Sequence, residues 1–348
     1  MRNSFFLFII FFLGIYGCKN KPVLPAEARK PIPIEIARFD QDFFELDTIQ
    51  LNSGLNVLAE KYPDFFSAYL TAILGVNPAD SLAPLAINAF LNTYRPVYKI
   101  AQDLVNTHLE EVKNGVEAGM QWMQYLVPSF KPDSPFVITT FIGPMDAFEN
   151  FSIGDYGDVR TANGVGVALQ LHLGSDNPIY VQGMQSGIFY QYQVNRFTPE
   201  TMLVNAMKNL IEDHFPYQAT GKSLMEEMVE KGKRMYLLKR VLPEVDDSLL
   251  IGYTGSQYEG ALKNEAMIWQ FFVKNDLLYN IDLSINQQYI RDGPKTPELG
   301  EASPGYIGLF TGWRLVEAYM ENNSGITIEQ LMKTPVNTVF QKSGYKPK

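Results

Sequence analysis

Three short stretches of the chain carry hydrophobic positions in a two-residue rhythm, and the rest of the apolar pattern is helical. "PIPIEIA" sets Ile32, Ile34 and Ile36 on one side. "PFVITTFIG" (135–143) is rich in β-branched residues. "GVGVALQLHLG" alternates: Val165, Val167, Leu169, Leu171 and Leu173 share one face, and Gly166, Ala168, Gln170 and His172 the other. Each predicts a strand, and "IYVQG" (179–183) reads as a further one. From "DTIQ" to "WMQYLV" the period is that of a helix, expected to break at Gly75–Pro78 and at Pro96. Beyond Thr198 the chain is helical again, with loops near 216–221, 243–255 and 292–307. Strands grouped between helical flanks predict an α+β fold, mostly helical with a small central sheet.

The helix opening at Thr198 ends on a histidine. Thr198 suits the cap, Pro199 the first turn, and Glu200 the positive end of the dipole. Leu203, Met207, Leu210 and His214 then fall on one face, and Pro216 stops the run. A zinc ligand on a helix needs a second donor at a set spacing, such as a histidine four residues away. Residue 210 is a leucine, so His214 is read as a packed histidine finishing a helix.

The N-terminus adds a targeting signal. "MRNSFFLFIIFFLGIYGCKN" has one early charge, Arg2, and an apolar run from Phe5 to Tyr16 that is too short to span a bilayer comfortably. Its end, Ile15-Tyr16-Gly17-Cys18, resembles a lipobox, and Cys18 is the only cysteine in the chain. Residues 1–17 are therefore expected to be a signal peptide, with Cys18 acylated as the membrane anchor. Residues 18–33, with four prolines and four basic residues, are expected to form a solvated tether. The body, 34–348, divides into a helical part (34–130) and a second part (131–348). No acidic residue directly follows Cys18, which favours a periplasm-facing position.

Charge narrows the partners. The chain carries 29 Lys and Arg against 38 Asp and Glu, a net −9. The first 33 residues contribute +4, which leaves −13 on the body. Nucleic acid is excluded, because phosphate contacts need clustered cations.

Several motifs fail on inspection. "PYQATGKS" has Pro216 where a phosphate loop needs its first glycine. "GMQSG" places its serine one position late for a nucleophile elbow, and "GVGVAL" lacks the third dinucleotide glycine. His108, His172 and His214 lie on separate elements. Glu265 interrupts the apolar stripe Tyr258, Leu262, Trp269, Phe272. A carboxylate there needs a cation, for which Arg314 is the candidate, or else it contacts a ligand.

The segments "ARFDQDFFELD", "YPDFFSAYLTAILG", "GVALQLHLG", "SLMEEMVEKGKRMY", "GYTGSQY", "NEAMIWQFFVKNDLLY" and "PGYIGLFTGWRLVEAYM" run in order through nearly the whole body. Together they resemble the gliding motility lipoprotein GldB family of the Bacteroidota. The resemblance implies an envelope lipoprotein of the gliding and type IX secretion machinery, with envelope proteins as partners and no enzymatic activity or cofactor.

A more distant resemblance, over about 135–330, is to predicted zincin-type zinc proteases. Aligned to them, the metal helix falls on 199–214, where no HExxH exists. The Glu-Gly ligand pair falls near Lys231-Gly232, where lysine would replace the acidic ligand, and a tyrosine position near Leu309. This implies a zincin-like fold without its metal site. The zincin cleft runs along an edge strand, for which "GVALQLHLG" is the candidate. A partner segment would add to that strand, in a groove lined by Gln170, His172, Tyr253, Glu265, Trp269, Trp313 and Arg314. Two rivals remain: a hydrolase using Glu265 with Asp282, and a glycan-capturing lipoprotein.

Overall fold

A computed structural model describes residues 22–145 and 157–348. Cys18, the signal peptide and the start of the tether lie outside the described residues.

The protein is α+β, with one four-stranded sheet among many helices. Strand β1 (Ile34–Ala37) leads into α1 (Phe39–Phe44), α2 (Leu51–Lys61) and α3 (Phe66–Ala68), which widens into a π-turn at Tyr69–Ile73. Then comes α4 (Ala83–Leu126), followed by β2 (Phe136–Phe141), β3 (Val159–Thr161) and β4 (Gly164–Ala168). The remainder is helical: α5 (Pro178–Gln185), α6 (Gln191–Val194), α7 (Glu200–His214), α8 (Leu224–Val241) and α9 (Asp247–Ile251). It continues through α10 (Gly255–Lys263), α11 (Glu265–Lys274), α12 (Leu283–Ile290), α13 (Ile307–Asn322), α14 (Ile328–Lys333) and α15 (Val336–Lys342).

The strand order is β1-β2-β4-β3. β1 and β4 each run parallel to β2, and β3 closes the sheet as an antiparallel hairpin with β4. Because β1 pairs with β2, the sheet joins the two expected parts of the body. The expected edge strand is therefore corrected: β4 lies between β2 and β3, and all five of its residues are buried. The alternation runs on to Leu173 in the sequence, but β2 ends at Phe141 opposite Ala168. With no ladder beyond that point, the chain turns into a 3-10 helix, Leu169–Leu171. At Gly164 a Cβ would sit 1.8 Å from the Val137 carbonyl oxygen, so only glycine fits there.

Three other expectations change. Residues 179–183 belong to α5, because the Asn177 side chain accepts from the Ile179 amide and Pro178 sits in the first turn. Pro96 does not break α4. It and Asn92, whose carbonyl it frees, are both exposed, so water takes the lost bond. The described part of the tether is docked rather than solvated: Leu24 and Ile32 are buried, the Ile32 amide donates to Glu117, and Gln121 donates to the Lys30 carbonyl.

Helix α4, about 66 Å long at 1.5 Å per residue, buries a stripe through Ile87, Leu91, Ala101, Val105, Val112, Val116 and Met120. Gly115 and Gly119 on it admit Leu203 and Met207 of α7. Helix α7 also packs on β3, β4 and α8. The tightest helix contact is α8 against α13, where Gly232 and Gly312 bring two backbones together. No helix among the described residues is long and apolar enough to cross a membrane.

Candidate functional site

Where α7, α8 and the start of α13 meet, a narrow cleft is lined from all three. Helix α7 presents Lys208, Ile211 and Glu212, one turn of a single face. Helix α8 presents Lys231, Arg234, Met235 and Leu238, again at three- and four-residue spacing, and Tyr306 and Leu309 close the third side. The positions onto which the zincin resemblance maps metal-bearing segments thus meet in space. What they supply is different chemistry: the cleft holds three cations, Lys208, Lys231 and Arg234, and one carboxylate, Glu212.

Zinc takes three or four donors at about 2.0–2.3 Å. Two ammonium groups and a guanidinium repel a dication, and Ile211 and Leu309 offer no lone pair. The residues of this cleft do not fit the ion. Among the described residues, no three His, Cys, Asp or Glu side chains group to hold a metal anywhere.

The cleft is rigidly built. Arg234 donates to the Phe215 carbonyl at 2.6 and 3.0 Å and to Glu230, which fixes the turn after α7 onto α8. Tyr306 holds φ +54° at the cap of α13, a region that strains a non-glycine residue by about 1–3 kcal/mol. Its amide donates to the Arg291 carbonyl, and the Tyr253 hydroxyl donates to the Gly305 carbonyl at 2.7 Å. The Arg196 guanidinium lies 5.9 Å from the Tyr306 ring. Neither Lys208 nor Tyr306 carries a signal in the sequence.

The seven residues expected to line one groove are not brought together as a groove. Gln170 and Trp313 are 0% exposed and His172 is 1% exposed, and Tyr253 is buried too, so none of these four can meet a partner. The physical reason is that the chain leaves β4 at Ala168 for a buried 3-10 turn, so Gln170 and His172 stand on no solvated strand face. Glu265, Trp269 and Arg314 lie together elsewhere. Glu265 accepts from Arg314 at 3.0 Å and from the Tyr345 hydroxyl at 2.8 Å, and the Tyr345 ring packs edge-on to Trp269. The expected cation for Glu265 is therefore Arg314, which also pairs with Glu317. Burial raises the Glu317 carboxyl pKa, opposed by Arg314. Asp282 is exposed and caps α12 by accepting from Ser284.

His172 belongs to a sealed polar cluster. Asp158 accepts from the Ala168 amide at 2.7 Å, from Asn205 at 2.9 Å and from His172 Nε2 at 2.9 Å. His172 Nδ1 lies 3.0 Å from the Thr201 hydroxyl, and Asn209 donates to the Asp158 carbonyl. A carboxylate, an imidazole and a hydroxyl in line resemble a nucleophilic triad. Thr201, however, is only 4% exposed, lines none of the clefts described here, and has carbonyl acceptors at Thr198 and Arg196. The cluster ties β4 to α7.

His214 does finish α7, packed between the rings of Phe130 and Phe215 and 3.4 Å from the Ser129 hydroxyl. Burial lowers its pKa, while Asp213 and Glu329 push it back up. The fold thus favours the neutral ring: its contribution is present above the unfolded value of about 6.5 and is lost as pH falls below it. Between pH 7.5 and 5.5 the thermal midpoint should drop further for the native chain than for His214→Phe. Parallel curves would show that this ring does not sense pH.

Comparison with known proteins gives one match. The profile of a family described as gliding motility protein GldB covers residues 20–347. No curated protein and no solved structure matches the chain.

Proposed function

This chain belongs to the family of the gliding motility protein GldB, a family of lipoproteins, and from that premise we propose that it is a non-catalytic envelope component that supports gliding and type IX secretion by binding other envelope proteins. The single observation that carries the reading is the family match, which runs through the whole body. Acylated Cys18 holds the chain at the membrane, facing the periplasm, while the basic residues just after it, Lys19 and Lys21, face anionic headgroups and the acidic body stands away.

The zincin-like cleft is, on this reading, a fold retained after its metal site was given up. Support comes from the convergence of Lys208, Ile211, Lys231 and Leu309 in one cleft. A lysine at a ligand position does more than remove a donor, because its charge opposes any dication nearby. What remains is a narrow, locally basic recess on an acidic protein, unsuited to polarising water.

The test uses the native host. Deleting the gene should abolish colony spreading, and a copy carrying Cys18→Ser should neither partition with membranes nor restore spreading. A copy carrying Glu212→Gln, which removes the only carboxylate lining the cleft, should restore spreading fully. Purified protein should hydrolyse no peptide or glycan substrate with or without added zinc. A zinc-dependent activity lost in Glu212→Gln would sink the non-catalytic reading.

A further inference from the structure

A second and larger cleft lies on the other side of α8. It opens between the end of α4, the last two turns of α8, the end of α13 and α14. One side is apolar and aromatic, with Tyr125, Leu126, Pro128, Tyr236, Met320 and Ile326, and Ser324, Thr327, Gln330 and the Glu329–Lys333 pair form the other. Tyr125 is 49% exposed at its rim.

One charged group in this cleft lacks the partner that its counterparts have. Six other half-buried arginines, Arg38, Arg95, Arg160, Arg196, Arg234 and Arg314, each donate to a carboxylate or carbonyl. Arg240 makes no hydrogen bond and no ion pair among the described residues, and its Nε is buried without an acceptor. The two other charges lining the cleft, Lys333 and Glu329, are paired with each other at 2.7 Å, and neither bonds Arg240. A buried donor without an acceptor is costly, and a planar guanidinium is shaped to take a carboxylate through two parallel bonds.

We propose that this cleft binds an extended segment of a partner protein that presents one carboxylate to Arg240, flanked by apolar side chains that lie on Tyr125, Tyr236 and Met320. The net −13 of the body repels polyanions, so the segment carries a single acid in an otherwise neutral or basic run. An apolar side next to one guanidinium whose Nε lacks an acceptor matches that chemistry. The site shares no lining residue with the α7–α8–α13 cleft. Its failure would therefore leave the envelope role above untouched, and loss of that role would not remove this site.

The experiment is selection from a random heptapeptide library on the full-length protein in detergent, with the best peptide resynthesised alongside its Glu→Gln or Asp→Asn version. One position should be enriched in Asp or Glu with apolar neighbours, and neutralising that acid should weaken binding by about tenfold or more. Arg240→Gln bait should lose the acidic enrichment while keeping its unfolding midpoint. Tyr125→Ala, on the opposite wall, should weaken the same peptide while keeping its acid preference. Selection without an acidic position, an acidic preference that survives in Arg240→Gln, or glycan binding that this variant abolishes would each overturn the proposal.

Discussion

Gly312→Ala should lower the thermal midpoint by about 6 °C or more, taking a loss of about 3 kcal/mol and the usual conversion for large domains. A methyl at 312 would lie 1.9 Å from the Met228 carbonyl oxygen and 2.5 Å from its carbon. From the other helix, a methyl at 232 would lie 2.3 Å from the Gly312 carbonyl oxygen. These are backbone atoms, so no rotamer change relieves the clash, and α8 and α13 must separate. Separation loosens Trp313, Phe310, Val316, Leu237 and Leu238, all buried alongside, and it shifts the two helices that contribute to both clefts. Gly260→Ala is the control. It sits inside α10 with nothing within 4 Å of the added methyl, and alanine there should be neutral or stabilising by up to about 1 kcal/mol. Equal midpoints for the two variants would mean that the helices slide apart without cost.

That crossing shows where the sequence stops being legible. Glycine at 232 and 312 carries no local signature, since the requirement lies between helices 80 residues apart. Local rules served better where the physics is local. The three rhythmic stretches do hold β1, β2 and β4, His214 does finish its helix, and Glu265 does meet Arg314. The same rhythm misled at Gln170 and His172, because the alternation continues past Ala168 while the strand, with no ladder partner left, does not. Pro96 misled for a related reason: the cost of a helical proline depends on whether water reaches the freed carbonyl. Lys231 and Leu309 entered through a resemblance, and only the fold joins them to Lys208 and Tyr306. Arg240 was one cation among several on "KGKRMYLLKRV" until its missing partner became visible.

Asp158→Ala is expected to cost about 3–5 kcal/mol, because one small side chain satisfies three buried donors. Removing it leaves the Ala168 amide, the Asn205 amide group and His172 Nε2 without acceptors where water does not enter. Asp158→Asn should fall between the native chain and alanine. Its carbonyl oxygen can still accept from Ala168, but its amide group faces the donors of Asn205 and His172. The imidazole can relieve one conflict by carrying its proton on Nδ1 toward the Thr198 carbonyl, 3.2 Å away; no such remedy exists for Asn205. Midpoints ordered native, asparagine, alanine would place the cluster as the clamp between β4 and α7. The clamp reaches the cleft as well, since Asn205 and Asn209 hold one face of α7 while Lys208 and Glu212 stand on another. A triad doing chemistry would behave differently: asparagine at 158 would leave the midpoint nearly unchanged and abolish a hydrolytic activity. Thermal unfolding and a substrate screen on the same two variants separate these outcomes.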